Sequence, residues 1–494
     1  MNVDVLIAGA GPAGLAAAIE LRRLGVSRVL VVDREAEAGG VPRHSAHTGY
    51  GLRDLHRVMT GPAYARHYVR AAVRAGAEVR AGTTVTGLSR SPSWPGLPGG
   101  PEPAADASGL TGPARPAGAT RHAGAPDPAG APDPAGAPDP AGAPDSAGAA
   151  DVAGAPDLAD AVSPANAAAS TGPTGPRSAT LTGAGGIETV TAAAVLLATG
   201  CRERPRAARL VPGGRPPGVM TTGELQQRVY LHGQQLPGRA VVVGAEHVSF
   251  SAMLTLAHAG ADVVALVTDQ PRQQSYAAFA LAAAARWRVP VWTSAAVRRI
   301  AGRGRLDGIE LADLRTGAVS FVGCDTLVFT ADWIPDHELA RLAGTQIDPG
   351  TRGPAVDTAL ETSIPGVFAA GNLVHAAETA DIAAVGGRHA ARQIAAALRG
   401  TGPPRTARIP VTVAAPLSWI SPNAIHAGGP PPARRRFLLR SGTFRRTARL
   451  EVRQGGRVLA TARARLVPGR PVHLDAGWMD RTDPSAGPVQ VTLQ

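Results

Sequence analysis

The chain runs to 494 residues, enough for about two to four domains with their own cores, and its two cysteines, Cys201 and Cys324, form no C-x-x-C pair, which argues against a disulfide scaffold or a cysteine-rich metal site. The formal net charge of +12 rests on fifty basic residues that are all arginine, with only 4% of the chain aromatic. Charge without stacking platforms leaves no nucleic-acid partner expected. Residues 3–8 form an apolar run with no basic start, soon broken by glycines. It therefore reads as a folded strand rather than an export signal or membrane span, and a cytoplasmic protein is expected.

That strand leads into Gly9-Ala10-Gly11-Pro12-Ala13-Gly14, a helix-period stretch up to Gly25, and a second apolar run closed by Asp33. Strand, glycine turn, helix and strand in this register are a βαβ unit. Gly9 permits the tight turn, Gly11 lets the backbone approach a pyrophosphate, and Gly14 lets helix and strand pack closely. Asp33 stands where a carboxylate meets a ribose hydroxyl.

Residues 34–53 follow as a loop rich in glycine, histidine and arginine, with Gly39-Gly40-Val41-Pro42-Arg43-His44 and then His47 and Tyr50. It leaves the end of a strand on the side where ligands lie in an open α/β sheet. Residues 61–75 have helical character, and residues 78–80 and 84–88 read as short strands.

From 91 to 176 the chain changes character: Ala-Gly-Ala-Pro-Asp pentads recur with a six-residue period and almost nothing to bury. This is expected to be a disordered acidic insertion, the expansion of a hairpin loop. The folded pattern resumes at residues 189–200, and residues 239–267 repeat the strand, helix, strand plan. Residues 324–330 and 366–372 are further apolar strands, and a helix from residue 382 closes at Gly400. Beyond 401, short alternating runs with proline and glycine turns suggest a small sandwich. Twelve arginines face one acid, Glu451, between Arg434 and Arg470.

The expected fold is therefore α/β, two Rossmann-like dinucleotide-binding domains plus a small C-terminal all-β domain. An FAD-type domain (1–90, 177–215 and 331–400) is interrupted by the insertion at 91–176 and by an NAD-type domain at 216–330. An Arg-rich β-domain occupies 401–494. With these residues in view the chain resembles the FAD-containing pyridine nucleotide-disulfide oxidoreductase superfamily. The resemblance rests on Gly9-x-Gly11-x-x-Gly14 with Asp33, on Ala198-Thr199-Gly200, and on Thr362-Ser363-Ile364-Pro365-Gly366-Val367-Phe368-Ala369-Ala370-Gly371-Asn372. It implies FAD held by Gly9, Gly11, Pro12, Ala13, Gly14, Asp33 and Arg34, by Gly40, by Thr199 and Gly200, and by Gly371 and Asn372.

Three departures shape the functional expectation. No redox cysteine pair follows Gly39-Gly40. The second fingerprint reads Gly244-Ala245-Glu246-His247-Val248-Ser249, and Glu246 sets bulk and negative charge where a dianion must approach, which argues against NAD(P) binding. Asn372 replaces the family's aspartate. The combination resembles FAD subunits of multi-subunit dehydrogenases and oxidases, such as opine or amine oxidases, hydrogen cyanide synthase and anaerobic glycerol-3-phosphate dehydrogenase. The leading expectation is an FAD-dependent dehydrogenase oxidising an amine, opine or hydroxy compound by hydride transfer. His44 and His47 are the candidate bases, Arg43 the candidate anion holder, and Tyr50 a further candidate. Trp333 is a candidate cover of the flavin, and His375, Glu378 and Asp381 are candidate cavity residues. No metal site is expected. Besides a small-molecule substrate, a partner oxidoreductase or iron-sulfur subunit is expected, docked by the C-terminal domain. The competing readings are an NAD(P)H-dependent reductase of a ferredoxin-like acceptor and a non-catalytic electron-transfer or assembly subunit.

Overall fold

A computed structural model describes residues 1–90, 175–402 and 406–494; all but the last two residues of the insertion lie outside the described residues. The first strand, Asn2–Ala8, is buried along nearly its whole length, as a central parallel strand must be. Pro12 opens the following helix, Pro12–Arg23, at a position that needs no N–H. The sheet order is Glu78–Arg80, Val29–Val32, Asn2–Ala8, Gly186–Leu197, Arg177–Gly183, Thr83–Arg90, with Val367–Ala369 also pairing Gly186–Leu197. Thr83–Arg90 and Arg177–Gly183 pair antiparallel with Arg90 opposite Arg177. The chain thus enters and leaves the insertion at the open end of one hairpin.

The helix Pro12–Arg23 lies against the last helix of this domain, Ala380–Leu398. Both present small residues: Ala13, Ala16 and Ala17 on one, Ala383, Ala384 and Gly387 on the other. A Cβ on Gly387 would come within 2.0 Å of the Ala13 carbonyl oxygen, so only glycine permits this crossing. Glu20, buried between the two helices, accepts from Arg23 at 2.9 Å and Arg392 at 2.7 Å. The Arg23 hydrogen bond, with help from Arg392, holds its carboxyl down at about 2 despite burial.

A two-stranded ribbon, Cys201–Glu203 against Trp333–Pro335, carries the chain out to the second domain and back. That domain has a parallel sheet in the order Val219–Thr221, Thr326–Phe329, Gly238–Val243, Ala261–Val267, Val291–Trp292, plus a three-stranded antiparallel sheet from Ala295–Ala301 to Val319–Gly323. The helices Thr222–Tyr230 and Ala277–Trp287 and this antiparallel sheet were not legible as separate elements in the sequence. Their apolar residues are few or bunched rather than periodic. The C-terminal domain packs a five-stranded and a three-stranded sheet over a core that includes Phe437, Leu439, Leu450, Val491 and Trp478. Its pairing is mostly antiparallel, but Arg408–Val413 and Val489–Leu493 run parallel. Among the described residues no helix is long and apolar enough to cross a membrane.

Candidate functional site

The glycine turn of the first domain is shaped around an open space. Gly9 has φ +110°, and a Cβ there would meet the Ala198 carbonyl oxygen at 2.4 Å; one on Gly14 would meet the Gly9 oxygen at 1.9 Å. Gly11 is the opposite case, with nothing within 4 Å of an added Cβ. A cradle closed behind and empty in front, at a helix N-terminus, fits a pyrophosphate. Gly40, at φ +64°, seats the next loop against Gly11, where a Cβ would touch its Cα at 2.9 Å. Asp33 accepts from the Ala10 N–H at 2.6 Å and from the Glu35 N–H at 2.9 Å, so it braces the cradle at the end of its strand. Arg34 donates to Asp336 at 2.9 Å, and the Thr199 hydroxyl to the Asp336 carbonyl at 2.7 Å, before Gly200 at φ +79°. These residues therefore bind the domain's return crossing to the cradle.

In the following loop the four candidate side chains have different surroundings. His44 is buried, its Nδ1 has no hydrogen-bond partner, and burial, then the charge of Arg43, lowers its pKa to about 4. It is a neutral base at physiological pH. Arg43 pairs with Glu37 at 3.0 Å. His47 stacks at 5.3 Å on Tyr50, which stacks at 5.7 Å on Tyr64. Sequence reading missed the end of this row: Tyr64 and Tyr68 both donate to Asp54, at 2.7 and 2.6 Å, and Arg388 donates to Tyr68 at 2.9 Å. Three residue types scattered over two helices and a loop left no motif to find.

A cavity of about 330 Å³ opens where Gly371 and Asn372 meet the start of the last helix. Of the three residues expected near it, His375 and Glu378 line it and Asp381 does not. The Asn372 side chain donates to the Glu378 carbonyl at 3.0 Å and accepts its N–H at 2.8 Å, pinning this loop. The C-terminal domain forms the opposite wall. Its Arg440 donates to Glu378 at 2.7 Å and to the Ala377 carbonyl at 3.1 Å, and its guanidinium lies 5.2 Å from the centre of the Trp419 ring. His375 stacks on Trp419 at 5.3 Å, with its Nδ1 buried and unpartnered. Trp333 lies in the crossover ribbon, its carbonyl accepting from Arg352.

The second glycine loop is filled from within. The Glu246 carboxylate folds back to accept from its neighbour's N–H, Ala245, at 3.0 Å and from the Thr330 hydroxyl. Ser249, in place of the third glycine, bonds Thr330 at 2.8 Å. The C-terminal domain also reaches this region. Arg470 donates to the Gln274 carbonyl at 2.6 Å and to that of Ser275, and lies over the Tyr276 ring at 4.4 Å. Tyr276 in turn meets His247 edge-on at 4.5 Å.

Cys201, with burial and the acids Asp336 and Glu203 around it, has its thiol pushed well above the ordinary range, and burial raises Cys324 to about 12. Neither has the lowered pKa of an exchanging thiolate. Burial also raises Glu203 to about 7, against the Gly223 N–H that it accepts at 2.7 Å. A carboxyl that holds its proton longer when folded lowers stability as pH rises from about 4.5 to about 7. Glu203→Gln is therefore expected to melt higher than the parent at pH 8, by up to roughly 3 kcal/mol. Melting curves at pH 5 and pH 8 check this, since the gain must shrink at the lower pH.

Two nucleotide-type domains, one with an open glycine cradle at a helix N-terminus, suit a dinucleotide such as FAD. The chain matches the family model of pyridine nucleotide-disulphide oxidoreductases over residues 171–393 and that of the FAD binding domain over residues 2–49. These matches support the FAD oxidoreductase superfamily, with FAD as its cofactor. It is 30% identical over 103 residues to a ferredoxin–NADP reductase of Picrophilus torridus, covering 20% of this chain and 31% of that protein. It is 59% identical over 46 residues to a sarcosine oxidase subunit alpha of a Corynebacterium species, 9% of this chain and 5% of that one. The matched stretches thus span less than a third of these curated relatives. The thioredoxin reductase of T. acidophilum superposes with a TM-score of 0.53 at 18% identity, over 80% of this chain and 98% of that one. That likeness shows the two-domain fold.

Proposed function

We propose that the chain is a dehydrogenase, or the FAD subunit of one, that oxidises an amine, opine or hydroxy compound and passes electrons to a partner oxidoreductase or iron-sulfur protein. The observation that carries this reading is the Glu246 carboxylate folded into the second glycine loop. A nicotinamide dinucleotide must displace it and meet its charge. The seating of Arg470 on residues 274–276 supports the same reading, because it covers the loop after the strand Ala261–Val267. Bound FAD supplies a hydride acceptor. Gly9, Gly11 and Gly14 would shape the seat of its pyrophosphate, and His44, neutral and with an unpartnered Nδ1, is the candidate to take a proton. The similarity to a sarcosine oxidase subunit supports an amine among the substrate classes.

A second reading, an NAD(P)H-driven reductase of a ferredoxin-like acceptor, is favoured by the similarity to ferredoxin–NADP reductases. One anaerobic experiment separates the two. Excess NADH or NADPH is expected to leave the yellow protein's flavin band unbleached, while an amine, opine or hydroxy acid bleaches it. Bleaching by either nucleotide within seconds would transfer the case to the reductase.

A further inference from the structure

The C-terminal domain does more than cover the flavoprotein core: it delivers positive charge to a cavity that the core leaves open. Arg434 and Arg436 from that domain, and Arg53 from the loop after the first domain's second strand, line the same cavity as His375, Glu378 and His473. Among the described residues none of the three arginine side chains makes a hydrogen bond or ion pair. Glu378 is already committed to the buried Arg440. All three arginines are exposed, so the rim of the cavity carries three guanidinium groups without a protein counter-charge, and its one carboxylate is engaged. Arg434 is held there in a left-handed backbone turn with Arg435, at φ +58° and +54°, a conformation that costs a non-glycine residue energy and is tolerated where the position matters.

We propose that this cavity binds a small organic anion, the carboxylate of the substrate, and that Arg434, Arg436 and Arg53 recognise it. The inference rests on the dehydrogenase reading for the word substrate, but the binding itself does not. Guanidinium forks suit the two oxygens of a carboxylate. Leu360, Val374, Ile382 and Leu438 give the same wall an apolar part that suits a small carbon body. His473 senses the same charges: burial first, and then the fields of Arg436, Arg53 and Arg434 against that of Glu378, lower its pKa. The phosphates of FAD are the other anion these arginines can meet, and the test separates the two.

The full-length flavin-loaded protein is titrated with benzoate, with pyruvate and with the neutral isostere benzamide, following the flavin absorption band and the heat of binding. Benzoate or pyruvate is expected to bind saturably and benzamide not to. Arg434→Gln and Arg436→Gln are each expected to weaken the carboxylate at least about tenfold while keeping the parent's FAD content. No saturable carboxylate binding, equal binding of benzamide, or unchanged affinity in both variants overturns the proposal. Loss of FAD from the variants overturns it too, by assigning the charge to the cofactor. The readout is binding, so flavin bleaching by NADH would end the dehydrogenase reading without touching this result.

Discussion

Glu378→Ala is expected to destabilise the folded chain by about 3–5 kcal/mol. The carboxylate and its partner Arg440 are 5% and 8% exposed, and the ion pair joins the loop after Asn372 to the C-terminal domain at 2.7 Å. Removing the acid leaves a buried guanidinium with the Ala377 carbonyl, the Trp419 face and an Nη1 that already lacks a partner. A single cation in that position pays its desolvation with little return. Replacing both residues together, as in Glu378→Leu with Arg440→Leu, removes the charge along with its counter-charge, and is expected to recover most of the loss. Denaturant unfolding of the two single variants and the double variant measures the coupling. A single-variant loss below about 1 kcal/mol, the level of an exposed pair, would mean that the C-terminal domain is not fastened here.

Gly14→Ala and Gly11→Ala are expected to fail in different ways, though they stand three residues apart in one turn. At Gly14 the new methyl would lie 1.9 Å from the Gly9 carbonyl oxygen, a backbone atom with nowhere to move. The helix Pro12–Arg23 must then lift from its strand, and the variant is expected to lose both FAD and cooperative folding. At Gly11 the backbone is at φ −82°, open to any residue, and nothing lies within 4 Å. That variant is expected to melt as the apo parent does, yet to bind FAD at least about tenfold more weakly, a difference of about 1.4 kcal/mol or more. The ratio of flavin to protein absorption after desalting, with melting of the apo forms, reads both effects. Parent-like FAD retention by Gly11→Ala would place the pyrophosphate elsewhere.

The glycines proposed to hold the cofactor were legible because each answers a backbone requirement at fixed spacing. Gly9, Gly14 and Gly40 sit where a side chain collides, and Gly11 where one would fill the cradle. The glycine spacing itself is local, so the sequence displays it directly, although the atoms that Gly9 and Gly40 must clear, at Ala198 and Gly11, are brought there by the fold. Glu246 was legible for the same reason, as an acid standing in a glycine position. What its carboxylate does was not: the hydrogen bond from Thr330 joins strand ends far apart in the chain.

The C-terminal domain marks the boundary most clearly. Its alternating runs announced strands, and its arginines suggested a surface for a partner. In the fold Arg440 turns inward to Glu378 and Arg470 to the loop at Gln274, while Arg434 and Arg436 stay exposed at the rim of the cavity over Asn372. Composition records how much charge a domain carries but not which way it faces, because facing is settled by how the finished domains dock. The sequence by itself determined the two nucleotide-type domains, the glycine turn of the FAD-type cradle and the altered second fingerprint, all of which are written in residue spacing along one strand, turn and helix. Only the tertiary structure decided that the third domain closes the cavity and seats on the second glycine loop's neighbour, since both depend on side chains brought together by packing.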